Sequence, residues 1–279
     1  MHTALQLLNV LLPLGYLLAA LAYLVVFLES PEWAKTWATR VLASVVGAHV
    51  AYLLLATLTY QHVPVANDWE GFTFIAFAMA VVYLALEWRW EDKATGVFLM
   101  VPVLFFQVLS SAFVTHTREV DEILRSPLFA VHVTAALLGY VALSVAAVYG
   151  AMYALLYREL KKHRVGLIFR RLPNLETLSR LNMGAVFFGW IGLTLAILLG
   201  SLWAGELTAR GWLEGSFYTD PKFLLTVALW VLYGLTLGGR YLFRWPNRQL
   251  AYLSIAAFLL LLSSSLAVNL FLPSFHQFS

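Results

Sequence analysis

The chain has 279 residues, of which 61% are hydrophobic and 12% charged, with a formal net charge of +3 and no cysteine. A soluble domain is about half apolar and about one quarter charged, so this composition excludes a soluble enzyme, a nucleic-acid-binding module and a disordered chain. Without thiols, disulfides, thiolate metal ligands and covalent attachment of a cofactor are excluded as well.

Apolar runs of spanning length fall at roughly 6–28, 39–60, 71–88, 95–115, 128–157, 182–203, 221–243 and 250–272. They are continuous and lack the alternation of membrane strands. In lipid each backbone polar group must be satisfied within its own segment, which predicts helices. The expected fold is an all-α integral membrane protein, a bundle of eight transmembrane helices forming one polytopic domain over 1–279. The first run lacks a basic leader and is too long for a cleaved signal peptide.

Charge sets the expected orientation. All but four of the 18 Lys and Arg residues fall in the odd-numbered connections or at the span ends beside them. The exceptions are Arg118, Arg125, Arg210 and Lys222. Basic residues concentrate in cytoplasmic loops, so the odd connections are predicted inside and both termini extracytoplasmic. The fifth connection, RELKKHRVGLIFRRLPNLETLSRLN, repeats Leu172, Leu175, Leu178 and Leu181 at intervals of three. That spacing predicts a short amphipathic helix lying on the membrane surface.

Among the seven histidines, three stand out by position. His132 lies about one turn inside the outer end of the fifth span, and His276 follows the outer end of the eighth. Equal depth on different helices suits two imidazole ligands of a six-coordinate heme iron, although interfacial histidines without a ligand also occur there. His49 lies near the middle of the second span, where an ionisable group is costly. Two roles are open for it: ligand of a second heme, or hydrogen bonding to a neighbouring helix through groups such as Gln107 or Asn269. The sixth connection mixes Trp203, Trp212, Phe217 and Tyr218 with Glu206, Glu214, Asp220 and Lys222. Its aromatics suit either membrane anchoring or a porphyrin plane, and Arg210 and Lys222 could meet propionates. Asp220-Pro221 reads as a helix start.

Three stretches then resemble the cytochrome c assembly protein family, especially its compact HemX-like branch. LFAVHVTAALLGYVAL resembles the family's histidine at the start of a helix. GSLWAGEL through TDPKFLLTVALWVLYGL resembles its tryptophan-rich outer loop, and AVNLFLPSFHQFS its closing histidine segment. The resemblance covers about half the chain, from about 128 to 279. It implies His132 and His276 as axial ligands of a b-type heme, with the loop around Trp212, Tyr218 and Asp220 as its platform. The sequence departs from the family in the reduced loop GWLEGSFYTD, in Phe223-Leu224-Leu225 after DPK, and at Gly238, where some members carry a further histidine.

The reading is a heme-binding protein of the bacterial cytoplasmic (inner) membrane, serving cytochrome c biogenesis or the regulation of heme biosynthesis. Its expected partners are heme, the lipid bilayer, and another assembly protein or a cytosolic heme-biosynthesis enzyme, with no nucleic acid. Its class is cofactor binding or transfer rather than hydrolysis, since no phosphate loop or nucleophile elbow is present. The rivals are a transmembrane heme electron-transfer protein and a small-solute transporter without heme.

Overall fold

Lipid offers the backbone no hydrogen-bonding partner, so a chain this apolar must close its hydrogen bonds within each segment. The computed structural model meets that demand: the described residues form helices joined by short connections, with no strand among them. The structure describes residues 1–65, 67–90, 93–114, 126–163, 165–211 and 217–271, with the side chains of the last helix described to residue 263.

The helices are α1 (His2–Leu28), α2 (Glu32–Tyr60), α3 (Asp68–Trp90), α4 (Gly96–Phe113), α5 (Pro127–Lys161), α6 (Leu167–Arg171), α7 (Leu175–Ala209), α8 (Pro221–Tyr241) and α9 (Asn247–Phe271). Among the described residues, α1–α5, α7 and α8 are the 7 helices long and apolar enough to cross a membrane. The part of α9 with described side chains, Asn247–Ser263, is a shorter apolar helix. Seven of the eight expected spans therefore fall on helices of spanning length, and the eighth run falls on α9 as far as Phe271. At 35 residues each, α5 and α7 are roughly 50 Å long, so their ends project beyond a hydrocarbon core about 30 Å thick.

The contacts divide the chain into two compact units. In the first, Met1–Val120 with His163–Leu172, helix α1 packs on α2 and α4, and α3 packs on α2 and α4. This closes a four-helix ring around Tyr16, Tyr23, Tyr52, Tyr83, Met79 and Met100, all buried. Leu7, Leu14, Leu18 and Leu21 cover the opposite face of α1 and are exposed, as a lipid-facing surface requires.

The second unit, Asp121–Lys162 with Pro173–Ser279, is built on the long α5–α7 pair, against which α8 and α9 pack. Small residues let the helices approach. A Cβ on Gly192 would lie 2.6 Å from the Gly139 Cα, and one on Gly150 would lie 3.0 Å from the Ala251 carbonyl oxygen. Without a hydrophobic drive between helices in lipid, such backbone approach and interhelical hydrogen bonds hold the bundle. Asn182 Nδ2 donates to the Ala146 carbonyl at 2.7 Å. The Trp190 and Trp230 rings stack at 5.4 Å, each indole N–H bonded across to the other helix.

The fifth connection differs from its expected form. No surface helix spans Leu172–Leu181. Helix α6 is only Leu167–Arg171, and Leu175, Leu178 and Leu181 belong to the first two turns of α7. Pro173 is the cause: it forces Leu172 into an extended conformation, and Asn174 then caps α7 by accepting from the Thr177 N–H at 2.8 Å. Leu178 is fully buried, so the three-residue leucine spacing reports packing rather than a membrane surface.

Candidate functional site

His132 enters on the second turn of α5, and its half-buried ring turns toward α7. Its Nδ1 lies 2.9 Å from the Ala196 carbonyl oxygen. A carbonyl only accepts, so Nδ1 carries the proton and the lone pair belongs to Nε2. That is how ligating histidines are set, with the second nitrogen donating to a backbone oxygen. The ring stacks on Trp203 at 6.1 Å and 21°, and Phe129 packs against the same indole at 5.1 Å. The ring fits because residue 200 is glycine: a Cβ there would sit 2.8 Å from His132 Cε1. An imidazole whose lone pair belongs to Nε2 would suit a nitrogen donor to heme iron.

The other outer candidates fall as follows. His276 and Trp212 lie outside the described residues. Asp220 is buried, 2% exposed, and caps α8: its Oδ1 accepts from the N–H groups of Lys222 at 2.8 Å and Phe223 at 3.3 Å. Pro221 follows at the first helical position, as the Asp-Pro pair predicts. Tyr218 stands in a single turn of 3-10 helix, exposed, with its ring against Phe217 and Phe223. The Arg210 guanidinium is ion-paired to Glu206 one turn back on α7. Its charge is therefore shared before any propionate arrives.

His49 is wholly buried in the first unit and engages both ring nitrogens. Nδ1 is 3.0 Å from the Tyr16 hydroxyl and Nε2 is 3.0 Å from Thr73 Oγ1. The Thr73 hydroxyl donates to Gln107 Oε1 at 3.0 Å, so its oxygen must accept from His49. The proton thus sits on Nε2, and Nδ1 accepts from Tyr16. Gln107 Nε2 continues to Ser111 Oγ at 3.0 Å. Four helices are tied by one directional series, Tyr16 to His49 to Thr73 to Gln107 to Ser111. As an iron ligand His49 would first have to release Tyr16 or Thr73.

A second buried polar cluster carries no sequence motif. Glu87, near the end of α3 and 4% exposed, accepts from the hydroxyls of Tyr23 and Thr39. Lys93 Nζ lies 3.3 Å from the same carboxylate and donates to Thr39 Oγ1 at 2.7 Å and to the Lys35 carbonyl at 3.0 Å. Each oxygen of Glu87 is satisfied, so the cluster ties the α3–α4 connection to α1 and α2 rather than offering an open ligand site. Among the described residues, no group of three His, Cys, Asp or Glu side chains is arranged to hold a metal ion.

Apolar helices of spanning length, with buried polar series between them, define a multi-pass integral membrane protein. Residues 65–276 match the family described as Cytochrome C assembly protein. The chain belongs to the cytochrome c assembly protein family. Protein HemX of Brevibacillus brevis is 30% identical over 253 residues, covering 88% of this chain and 89% of that protein. Protein HemX of Bacillus subtilis (strain 168) is 27% identical over 275 residues, covering 95% and 94%. Cytochrome c biogenesis protein CcsA of Chlamydomonas reinhardtii is 26% identical over 241 residues, covering 82% of this chain and 64% of that protein. The family segment includes His132 and His276 and leaves out His49. It also begins well before residue 128, where the resemblance in the sequence was first legible.

Proposed function

We propose that this protein handles heme for cytochrome c biogenesis or for the regulation of heme biosynthesis, holding one b-type heme through His132 and His276. The observation that carries this reading is the His132 ring, whose proton is fixed on Nδ1 by Ala196, leaving Nε2 as the nitrogen that bears the lone pair. Its support is the family membership, which spans both histidines, and relatives named for cytochrome c biogenesis. When bound, heme would supply an iron centre, which His132 and His276 would hold through imidazole nitrogens. The chain's own part is to orient the His132 imidazole through Ala196 and the Trp203 ring, itself backed by Phe129, and to hold the start of α8 in place through Asp220. Trp212, Tyr218 and Lys222 complete the platform, with Arg210 joining once it leaves Glu206. On this reading the chain crosses a bacterial cytoplasmic membrane eight times with both termini outside, which the basic odd-numbered connections support.

The test is the absorption spectrum of the purified protein. A Soret band with low-spin α and β bands is expected, lost or converted to high spin in His132→Ala and in His276→Ala. A protein that stays colourless after heme supplementation would overturn the reading in favour of a transporter without heme. Labelling at positions 2 and 279 should succeed on intact cells; reaction only after permeabilisation would reverse the topology.

A further inference from the structure

At the basic end of the second unit, away from His132, α5 and α9 open a groove of about 750 Å³. Its walls are Tyr157, Arg158 and Lys161 from the last turns of α5, Trp245 ahead of α9, and Arg248 and Tyr252 from its first turns. Leu253 and Ala256 continue the lining along α9. The two helices touch at Gly150 and Ala251.

Three features specify an occupant. The first is charge: the groove gathers Arg158, Lys161 and Arg248, and among the described residues none of the three is ion-paired to a carboxylate. The second is preorganisation. The Arg248 guanidinium lies 5.5 Å over the Tyr157 ring and reaches its hydroxyl at 3.5 Å, while Tyr157 stacks on Tyr153 at 6.4 Å and 8°. A guanidinium held on an aromatic face is already oriented for a phosphate. The third is polarity in depth. Cations and interfacial aromatics occupy the mouth, whereas Leu253 and Ala256 lie further into the apolar part of α9. Tyr157 and Arg158 stand where the apolar run of α5 ends, at headgroup level. A soluble anion would use only the mouth; an amphiphile with an anionic head and an acyl chain uses the whole length.

We propose that this groove binds an anionic phospholipid, its phosphate among Arg158, Lys161 and Arg248 and one acyl chain along Leu253 and Ala256. Basic pockets between membrane helices take such headgroups. The inference is independent of the heme reading, since no residue of the groove belongs to the histidine site.

The experiment uses the full-length protein in a neutral detergent, with phosphatidylglycerol and phosphatidylcholine of identical chains as competing probes. Native mass spectrometry should show phosphatidylglycerol retained in preference, and phosphatidylglycerol alone should raise the melting temperature. Arg248→Gln and Lys161→Gln should each weaken retention roughly fivefold, in keeping with the usual contribution of one cation at a membrane surface. Arg248→Lys should retain more than Arg248→Gln. Equal retention of the two lipids by the unaltered protein would overturn the proposal, whatever the stability of the variants. Inorganic phosphate producing the same thermal shift would overturn the acyl-chain part and leave a simple anion site. Hemin displacing phosphatidylglycerol at equal concentration would assign the groove to another amphiphilic anion and equally refute it.

Discussion

Gly200 stands directly against the His132 ring: a Cβ at that position would meet Cε1 at 2.8 Å and Nδ1 at 3.0 Å. Both contacts fall on the same ring that bonds to Ala196, one turn earlier on α7. Helix α7 therefore grips the imidazole twice, once by a carbonyl and once by the absence of a side chain. Gly200→Ala should push the ring outward and break the Nδ1–Ala196 bond. Bound heme should fall severalfold and the low-spin bands broaden or vanish, with the helix content unchanged. Gly184→Ala, where no atom lies within 4 Å of the added carbon, is the matched control on the same helix. It should keep full heme content and gain about 0.4–1 kcal/mol of stability, because alanine restricts the unfolded chain more than glycine. Equal heme loading in both variants would show that the ring position does not govern binding.

The His49 series makes a different demand. Tyr16, His49, Thr73 and Gln107 come from α1, α2, α3 and α4, and each hydrogen bond in the series has its donor fixed by the next. Removing the imidazole strands the Tyr16 hydroxyl and the Thr73 oxygen in a fully buried site. His49→Ala should lower stability by about 1–3 kcal/mol, the usual range for leaving a buried polar group unsatisfied. Heme content per protein should not change. Thr73→Val should act in the same direction, since it leaves the His49 Nε2–H without its acceptor. Loss of one heme equivalent in His49→Ala, with the outer low-spin spectrum intact, would instead make His49 a ligand.

The spans were legible because a lipid-facing surface must be apolar all along its length, and Asp220-Pro221 was legible because capping is local in sequence. His49 announced itself as an imidazole at mid-span, and Gln107 was visible as an available partner. Thr73, which bridges the two, was not, because a threonine in an apolar helix usually satisfies itself on its own backbone. Trp203 looked like an interfacial anchor; only the fold sets its ring on His132. Gly200 gave no signal among the 17 glycines. The leucine spacing of the fifth connection misled, since Pro173 divides it and Leu178, on α7, is buried in the packing. Glu87 and Lys93 carry no sequence motif, and the burial of Glu87 depends on Tyr23 and Thr39, far away in sequence.

That last cluster can be tested as a unit. Glu87 and Lys93 are partners across the α3–α4 connection, 3.3 Å apart, and both share Thr39. Glu87 is buried and Lys93 partly so, and removing the lysine leaves the buried carboxylate without its counterion. Lys93→Met should therefore destabilise more than the double variant Glu87→Leu with Lys93→Met. The coupling energy between the two sites should be about 0.5–3 kcal/mol, measured as a double-mutant cycle on thermal or denaturant unfolding in detergent. Additive effects would place Lys93 in solvent rather than against the carboxylate.

Asp220 has two candidate roles that one pair of substitutions separates. Its Oδ1 accepts from the backbone N–H groups of Lys222 and Phe223, and Pro221 removes one further donor that would need a partner. A cap needs an oxygen acceptor rather than a full negative charge, and asparagine serves about as well as aspartate. Asp220→Asn should therefore keep both the start of α8 and the heme content. Asp220→Ala removes the acceptor and should cost about 0.5–2 kcal/mol of stability. Because α8 begins directly after Tyr218, fraying of its first turn should also loosen the adjoining aromatic turn, so heme loading should fall in Asp220→Ala with the His132 ligation otherwise normal. The measurement is heme occupancy against melting temperature for the two variants and the unaltered protein. Occupancy lost in Asp220→Asn with the melting temperature unchanged would mean that the carboxylate charge itself acts on the cofactor, and the capping account would be wrong.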